Sequence, residues 1–341
     1  MKIGVWAPNY AFVQHSAGLK IDVEIIELAC KHYGYEFGIC NRENNDFDIV
    51  FMMEAVAPMK IIEAGHAIGT KYIWALNSEL LSMHTGSVNK KDMVDFYIGK
   101  TPGQASYIES LNWSSPTKLL NFATKVPDIK VNHGERKSLI HFAGRSWFKG
   151  STKQLKAGIK LVQDGHFDKM YLKLSGERKQ VQDIIRRMKK LAGDDERIEI
   201  IDRYLSEDEK NELYAKCRVA LCASKQEGFG HYVLEAAAHG CQVVTTDGNP
   251  MRELLTKQVY LAKARRRIPG PDKPDAIWGY RYSLEIDDIY NATIEAIEDE
   301  HIIKDCVDNV TDRWNLFLTD FERVMNEIGV RKKKESSWEM F

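Results

Sequence analysis

The chain has 341 residues, more than one hydrophobic core usually organises, so two domains are expected. Its 48 basic and 49 acidic side chains leave a formal charge of -1, and no bulk field points to nucleic acid. The longest apolar runs, such as residues 49–53, fall far short of the roughly 20 residues of a membrane span. The N-terminal MKIGVWAP enters a strand-like segment directly, without the apolar core and cleavage site of a signal peptide. A cytoplasmic location is the expectation, or the host cytoplasm for a viral protein. Six cysteines show neither a CxxC pair nor zinc-like spacing with histidine, and read as reduced core thiols.

Six strands are expected at residues 2–7, 36–40, 48–53, 71–76, 95–100 and 118–122. Between the first two, residues 21–34 carry apolar side chains at helical spacing and stop at Gly34, a suitable C-terminal cap. The polar stretch 126–137 reads as a linker. Five more strands follow at 138–144, 170–176, 197–202, 219–224 and 242–248, with helices at 151–165 and 177–193. Beyond residue 285 the pattern is helical to about 329. Strand and helix in alternation predict two doubly wound parallel sheets. The expected division is an acceptor-binding domain over 1–128, a donor-binding domain over 134–300, helices over 301–329 that pack back on the first domain, and a flexible tail over 330–341. Asp46-Phe47-Asp48 has the spacing of a metal-binding DxD, but it precedes its strand and reads as the end of a loop.

Ligands of such sheets bind beyond the carboxyl ends of the strands, which directs attention to the strand-to-helix turns. The fullest of these lies in residues 219–254, VALCASKQEGFGHYVLEAAAHGCQVVTTDGNPMREL. Gly228 and Gly230 permit close approach of an anion to the backbone, and a helix starting near His231 would aim its free N–H groups at the same place. Glu235, one turn into that helix, is placed to accept from two vicinal hydroxyls, and Glu227 precedes the helix.

Two glutamates with seven residues between them, the first followed by Gly-Phe-Gly and the second in an Ala-rich helix, resemble the retaining GT-B glycosyltransferases of the large family 4 type. Residues 245–255, TTDGNPMRELL, resemble that family's glycine-proline-glutamate turn, and residues 141–161 its Gly-Arg, Lys-Gly element. The resemblance covers about 138–260 well and the first half loosely. It implies a GT-B fold of two Rossmann-like domains facing a cleft, a UDP- or GDP-sugar donor, and a glycan, lipid-linked or other acceptor, a nucleic acid included. It further implies Arg145 and Lys149 as phosphate ligands, Glu227 as sugar contact, Glu235 as ribose contact, and Arg203 with Tyr204 near the base. Gly228, Phe229, Gly230, His231 and, in the first domain, Gly18 fall in donor-binding positions, and His84 in the position of a sugar contact. The spacing from Arg145 to Lys149 is one residue shorter than the family's, and Gly18 stands where a pair of glycines is usual.

Cleaving the anomeric bond of a nucleotide sugar develops negative charge on the leaving diphosphate. A guanidinium, an ammonium and a helix N-terminus supply what a cation would otherwise provide, so no metal or other cofactor is expected. A glycosidase pair would stand about 5 Å or about 6.5 to 9.5 Å apart, whereas these two glutamates should be about 10 Å apart or more. They are expected to serve different parts of one ligand. A sugar-nucleotide epimerase of the same build and a non-catalytic nucleotide-sugar-binding subunit remain as alternatives.

Overall fold

The chain was analysed as a computed structural model that describes residues 1–7, 17–77, 85–124, 135–144, 147–174, 179–266 and 281–329. In chain order the first half contains β1 (Lys2–Trp6), α1 (Ala17–His32), β2 (Glu36–Ile39), β3 (Ile49–Met53), α2 (Met59–Ala67), β4 (Lys71–Ala75), β5 (Phe96–Gly99), α3 (Pro102–Ser110) and β6 (Thr117–Leu119). The second contains β7 (Ser138–Gly144), α4 (Ser151–Gln163), β8 (Lys169–Leu174), α5 (Lys179–Ala192), β9 (Ile198–Ile201), α6 (Glu207–Ala215), β10 (Cys217–Cys222), α7 (His231–Ala238), β11 (Gln242–Thr246), β12 (Val259–Ala262), the hairpin β13 (Ala264–Arg266) with β14 (Tyr282–Leu284), and α8 (Ile286–Glu298). A 26-residue helix, α9 (Ile303–Ile328), ends the described chain.

Each half holds one six-stranded sheet, ordered β2-β1-β3-β4-β5-β6 and β12-β11-β10-β7-β8-β9, and the strand pairs in both are parallel. Helices cover both faces of such sheets, so the strands read as unbroken apolar runs: Ile49–Met53 is buried at every position. In the second sheet the winding reverses between β7 and β10. In the first it reverses between β1 and β3. These reversals are where a doubly wound sheet opens a crevice at the carboxyl ends of its strands.

Local sequence explains most of these elements. α1 buries Leu19, Val23, Ile26, Ala29 and Cys30 on one side and ends in Lys31 and His32, cations suited to a helix C-terminus. α6 opens with a capping box in which the Ser206 hydroxyl accepts from Glu209 N–H, and the Glu209 side chain accepts from Ser206 N–H. Asp48 accepts from Lys2 N–H at 2.7 Å, and the buried Phe47 ring fills the space above Gly4 and Gly38, so the Asp46–Asp48 triplet serves packing at the sheet edge. All six cysteines are buried and unpaired.

Two sequence expectations change. The strand expected over 118–122 is confined to Thr117–Leu119: Leu120 and Phe122 N–H still donate to Gly99 O and Lys100 O, but other backbone groups of this stretch turn to the last helix. Asn121 donates to Asp320 through both its N–H and its amide, and Phe122 O accepts from Arg313 Nε at 2.7 Å. The second sheet also gains a sixth strand, β12, whose four residues between polar neighbours are too few to show a period.

α9 returns to the first half. Leu318 O accepts from Tyr33 Oη, Leu119 O accepts from Arg323, and Glu327 pairs with Lys118 at 2.7 Å. Among the described residues no helix is long and apolar enough to cross a membrane.

Candidate functional site

The site is assembled at the winding reversal of the second sheet. β7 and β10 are adjacent there, and buried His141 ties them together. Its Nδ1–H donates to Leu221 O at 2.8 Å, while Nε2 accepts from Ser151 Oγ at 3.1 Å across to α4. Burial pushes this imidazole down to about 4, so it is a neutral structural link. Gln154 reinforces the junction by accepting from Ala223 N–H at 3.0 Å and donating to Ala223 O at 3.2 Å.

From β10 the chain turns through Lys225–Gly230 into α7. Gly230 has φ +112°, and a Cβ there would meet Leu254 Cδ1 at 3.0 Å, so both backbone angle and space favour glycine. Thr246 Oγ1 donates to Ser224 O at 2.5 Å, and Ser224 Oγ shares a 2.5 Å contact with Tyr232 Oη, which closes the floor of the turn. α7 is eight residues long and its first N–H groups emerge at Gly230–Tyr232.

Both glutamates sit where the turn predicts, and each has a lysine partner. Lys149, in the single turn of helix after β7, donates to Glu227 Oε1 at 2.7 Å and lies 3.5 Å from the centroid of the Tyr232 ring. Lys210 of α6 donates to Glu235 Oε1 at 2.5 Å and pairs with Glu207 at 2.6 Å. Burial disfavours the Lys210 charge, but the carboxylates of Glu235 and Glu207 outweigh it and hold the ammonium above its ordinary value. No local pattern in the sequence marks Lys210, because it belongs to an ordinary charged helix, nine residues beyond β9 and twenty-five before its partner.

The first half reaches this turn and its neighbourhood by hydrogen bonds and by packing. Gln104 Nε2 donates to Gly228 O. Gly103 N–H donates to both oxygens of Glu253 at 3.0 Å, so a carboxylate of the second half sits at the N-terminus of α3 in the first. Asp22 Oδ1 accepts from His231 Nε2 at 2.9 Å. Gly18, in the first turn of α1, lies against the same imidazole, since a Cβ there would be 3.9 Å from His231 Cδ2. Phe229 packs edge-on against Phe122 of the first half at 6.1 Å, under the guanidinium of Arg313. Arg313 itself donates to Lys100 O and Phe122 O on one side and to Glu253 O on the other. Burial pushes it down to about 10.

The structure therefore brings together Gly18, Lys149, Glu227, Gly228, Phe229, Gly230, His231 and Glu235. For Arg203 and Tyr204 the contacts are local: Arg203 pairs with Glu209 at 2.7 Å and donates to Tyr204 O, and Tyr204 is 82% exposed. Arg145 and His84 lie outside the described residues, as do the expected linker over most of its length and the tail over 330–341. Among the described residues no three His, Cys, Asp or Glu side chains form a metal-binding group. Asp22, Lys100 and Arg313 went unnoticed in the sequence, where each is one charge in an otherwise ordinary element, and Glu253 lies in the segment read as a glycine-proline-glutamate turn but not as a link to the first half.

Known structures share this architecture. HepE of Anabaena, solved with UDP and glucose, aligns with a TM-score of 0.61 at 15% identity over 96% of this chain and 99% of its own. A UDP-forming trehalose-phosphate synthase of Burkholderia xenovorans, solved with glucose-6-phosphate, aligns at 0.59 and 12% identity, over 83% of this chain and 73% of its own. Pneumococcal O-GlcNAc transferase GtfA, solved with UDP and GlcNAc, aligns at 0.55 and 15% identity over 82% of this chain, which spans only 56% of GtfA. In the GtfA/B complex the matched chain is likewise spanned over 57% of its length. No curated protein matches by sequence. The fold is GT-B, two Rossmann-like halves with parallel sheets, and residues 137–275, which contain both glutamates and Lys149, match the family described as glycosyl transferases group 1.

Proposed function

We propose that the protein transfers a sugar from a nucleoside-diphosphate sugar to an acceptor docked on the first half, with retention of anomeric configuration and without a bound metal. The observation that carries this reading is the turn at the β7/β10 reversal. It joins a glycine-lined helix N-terminus, a carboxylate one turn into the helix, and a Lys149–Glu227 pair at the mouth. An anion is favoured at such an N-terminus, and Glu235 lies where vicinal ribose hydroxyls would follow.

In this reading the diphosphate lies against Gly228–His231 with Arg145 and Lys149 as its cations. Glu235 orients the ribose, Glu227 reads the transferred sugar, and Arg203 and Tyr204 border the base. His84 is a further sugar contact and Gly18 closes over the phosphates from the first half. As the anomeric bond breaks, its electron pair passes to the leaving phosphate oxygen, and these positive groups lower the energy of that charge. Retention follows if the acceptor oxygen attacks from the face the diphosphate leaves, its hydroxyl proton passing to the departing phosphate oxygen, a step for which Glu227, engaged by Lys149, is not required as nucleophile. Supporting UDP over GDP as donor are the UDP complexes of HepE and GtfA. The acceptor is a glycan, a lipid-linked sugar or another hydroxyl compound.

Incubating the protein with a panel of UDP- and GDP-sugars in excess chelator tests the reading. Transfer, or slow release of the sugar from one donor, is expected. Release of nucleotide with an isomerised free sugar would identify an epimerase, and tight nucleotide binding without turnover a binding subunit. Activity that disappears with chelator and returns with magnesium or manganese would overturn the metal-independent part alone.

A further inference from the structure

A line of buried and half-buried polar side chains crosses the first half and ends on the turn into α7. Glu54, at the carboxyl end of β3, has φ +60°, an unusual angle for a residue with a side chain. Its Oε1 accepts from Asn77 Nδ2 at 2.8 Å, and Asn77 Oδ1 accepts from Lys100 Nζ at 2.7 Å. Lys100 also donates to Asp22 Oδ2 at 2.7 Å, and the second oxygen of Asp22 accepts from His231 Nε2. The Lys100 side chain is 0% and that of Asp22 4% exposed, so neither charge has water to rely on.

This arrangement determines the imidazole's orientation and tautomer. A carboxylate only accepts, so the proton on the Asp22 side belongs to Nε2. The side chain of His231 is 10% exposed, and its Nδ1 is buried without a hydrogen-bond partner among the described residues. His231 is the first residue of α7, so its imidazole belongs to the end of the helix at which the free N–H groups emerge. The charged groups around His231 come from every neighbouring element. They are Asp22 of α1 and Lys100 after β5, Glu227 with Lys149 in the turn, and Glu235 with Lys210 farther along. Arg313 of α9 lies over the Phe229 ring that packs 4.9 Å from the imidazole, and Glu207 beside Lys210 and Glu253 beside Arg313 are further carboxylates of this surround. A diphosphate at the N-terminus of α7 would add negative charge next to its first residue, His231.

We propose that Asp22, itself held by Lys100, is a positioning residue from the first half that locks His231 through Nε2–H, so that Nδ1 takes up a proton and donates a hydrogen bond when a nucleoside diphosphate binds. This rests on the donor-site reading above. Its consequence is that the second half binds its donor well only while the first half is docked, because the imidazole is oriented by a carboxylate across the divide.

Calorimetry of UDP and GDP binding to the full chain, in buffers of different ionisation enthalpy near neutral pH, tests it. The wild-type protein should take up close to one proton per nucleotide bound. His231→Asn should abolish the uptake. Asp22→Asn should reduce the uptake and weaken binding about 10-fold, the loss of one charged hydrogen bond. The double variant should be no weaker than His231→Asn alone, because Asp22 acts through His231. Binding without proton uptake, or penalties that add in full, overturns the proposal and leaves the donor site standing. Failure of both nucleotides to bind the wild type overturns the donor site and the proposal together. If Asp22→Asn does not melt cooperatively, the difference in uptake between wild type and His231→Asn decides alone.

Discussion

The two winding reversals of this molecule are built in opposite ways. In the second half the site comes from one continuous stretch, β10 through α7, which supplies the glycines, Glu227, His231 and Glu235 within nineteen residues of Cys217. In the first half the buried polar line draws on Asp22, Glu54, Asn77 and Lys100, one residue from each of four separate segments. A local turn works through backbone geometry, which a few residues specify. A buried ion pair is formed only after the sheet brings distant ends together, and its cost of desolvation makes every member depend on the rest.

The comparison predicts different failures. Lys100→Met leaves Asp22 buried with only the imidazole for a partner and should cost about 3 to 5 kcal/mol of stability, read by denaturant unfolding. A loss under about 1 kcal/mol would mean the line is not a unit. Lys149→Ala should leave the fold cooperative but lower turnover by about 10²- to 10³-fold, as removal of one preorganised donor does elsewhere. A change confined to stability would place Lys149 in the scaffold. Glu235→Gln should act mainly on donor affinity, raising KM about 10-fold with kcat little changed, since the ribose contact proposed for it would serve ground state and transition state alike.

A further effect concerns pH. The unfolded chain protonates His141 below about 6.5, while burial in the native state pushes its value down to about 4. The neutral form is therefore favoured on folding, so its contribution is complete above pH 6.5 and is lost progressively as pH falls from there toward 4. The melting temperature should fall over that window in the wild type, and less steeply in His141→Asn. Asp22 behaves differently. Burial opposes its charge, but Lys100 and His231 together lower its value, so the stability it brings is present at neutral pH and lost only as pH drops below the ordinary aspartate range.

Much of the fold was legible because parallel strands buried on both faces are short apolar runs between helical periods, and this pattern needs no partner to be seen. The exceptions have tertiary causes. Leu120 and Phe122 still donate their N–H groups to Gly99 O and Lys100 O as a strand would, yet Asn121 N–H and Phe122 O are claimed by Asp320 and Arg313 from 190 or more positions away. β12 becomes a strand because β11 offers it an edge.

The site divides along the same line. Gly230, Glu227 and Glu235 were readable because an αL glycine before a helix and a carboxylate one turn later are local facts of geometry. The sequence by itself thus determined two doubly wound halves and the strand-turn-helix that would hold a diphosphate. Only the tertiary structure decided the pairing of Lys210 with Glu235, the capping of α3 by Glu253, and the placing of Asp22 on His231. Those contacts join residues 25, 150 and 209 positions apart, and no local pattern records which of many similar charges will be brought together.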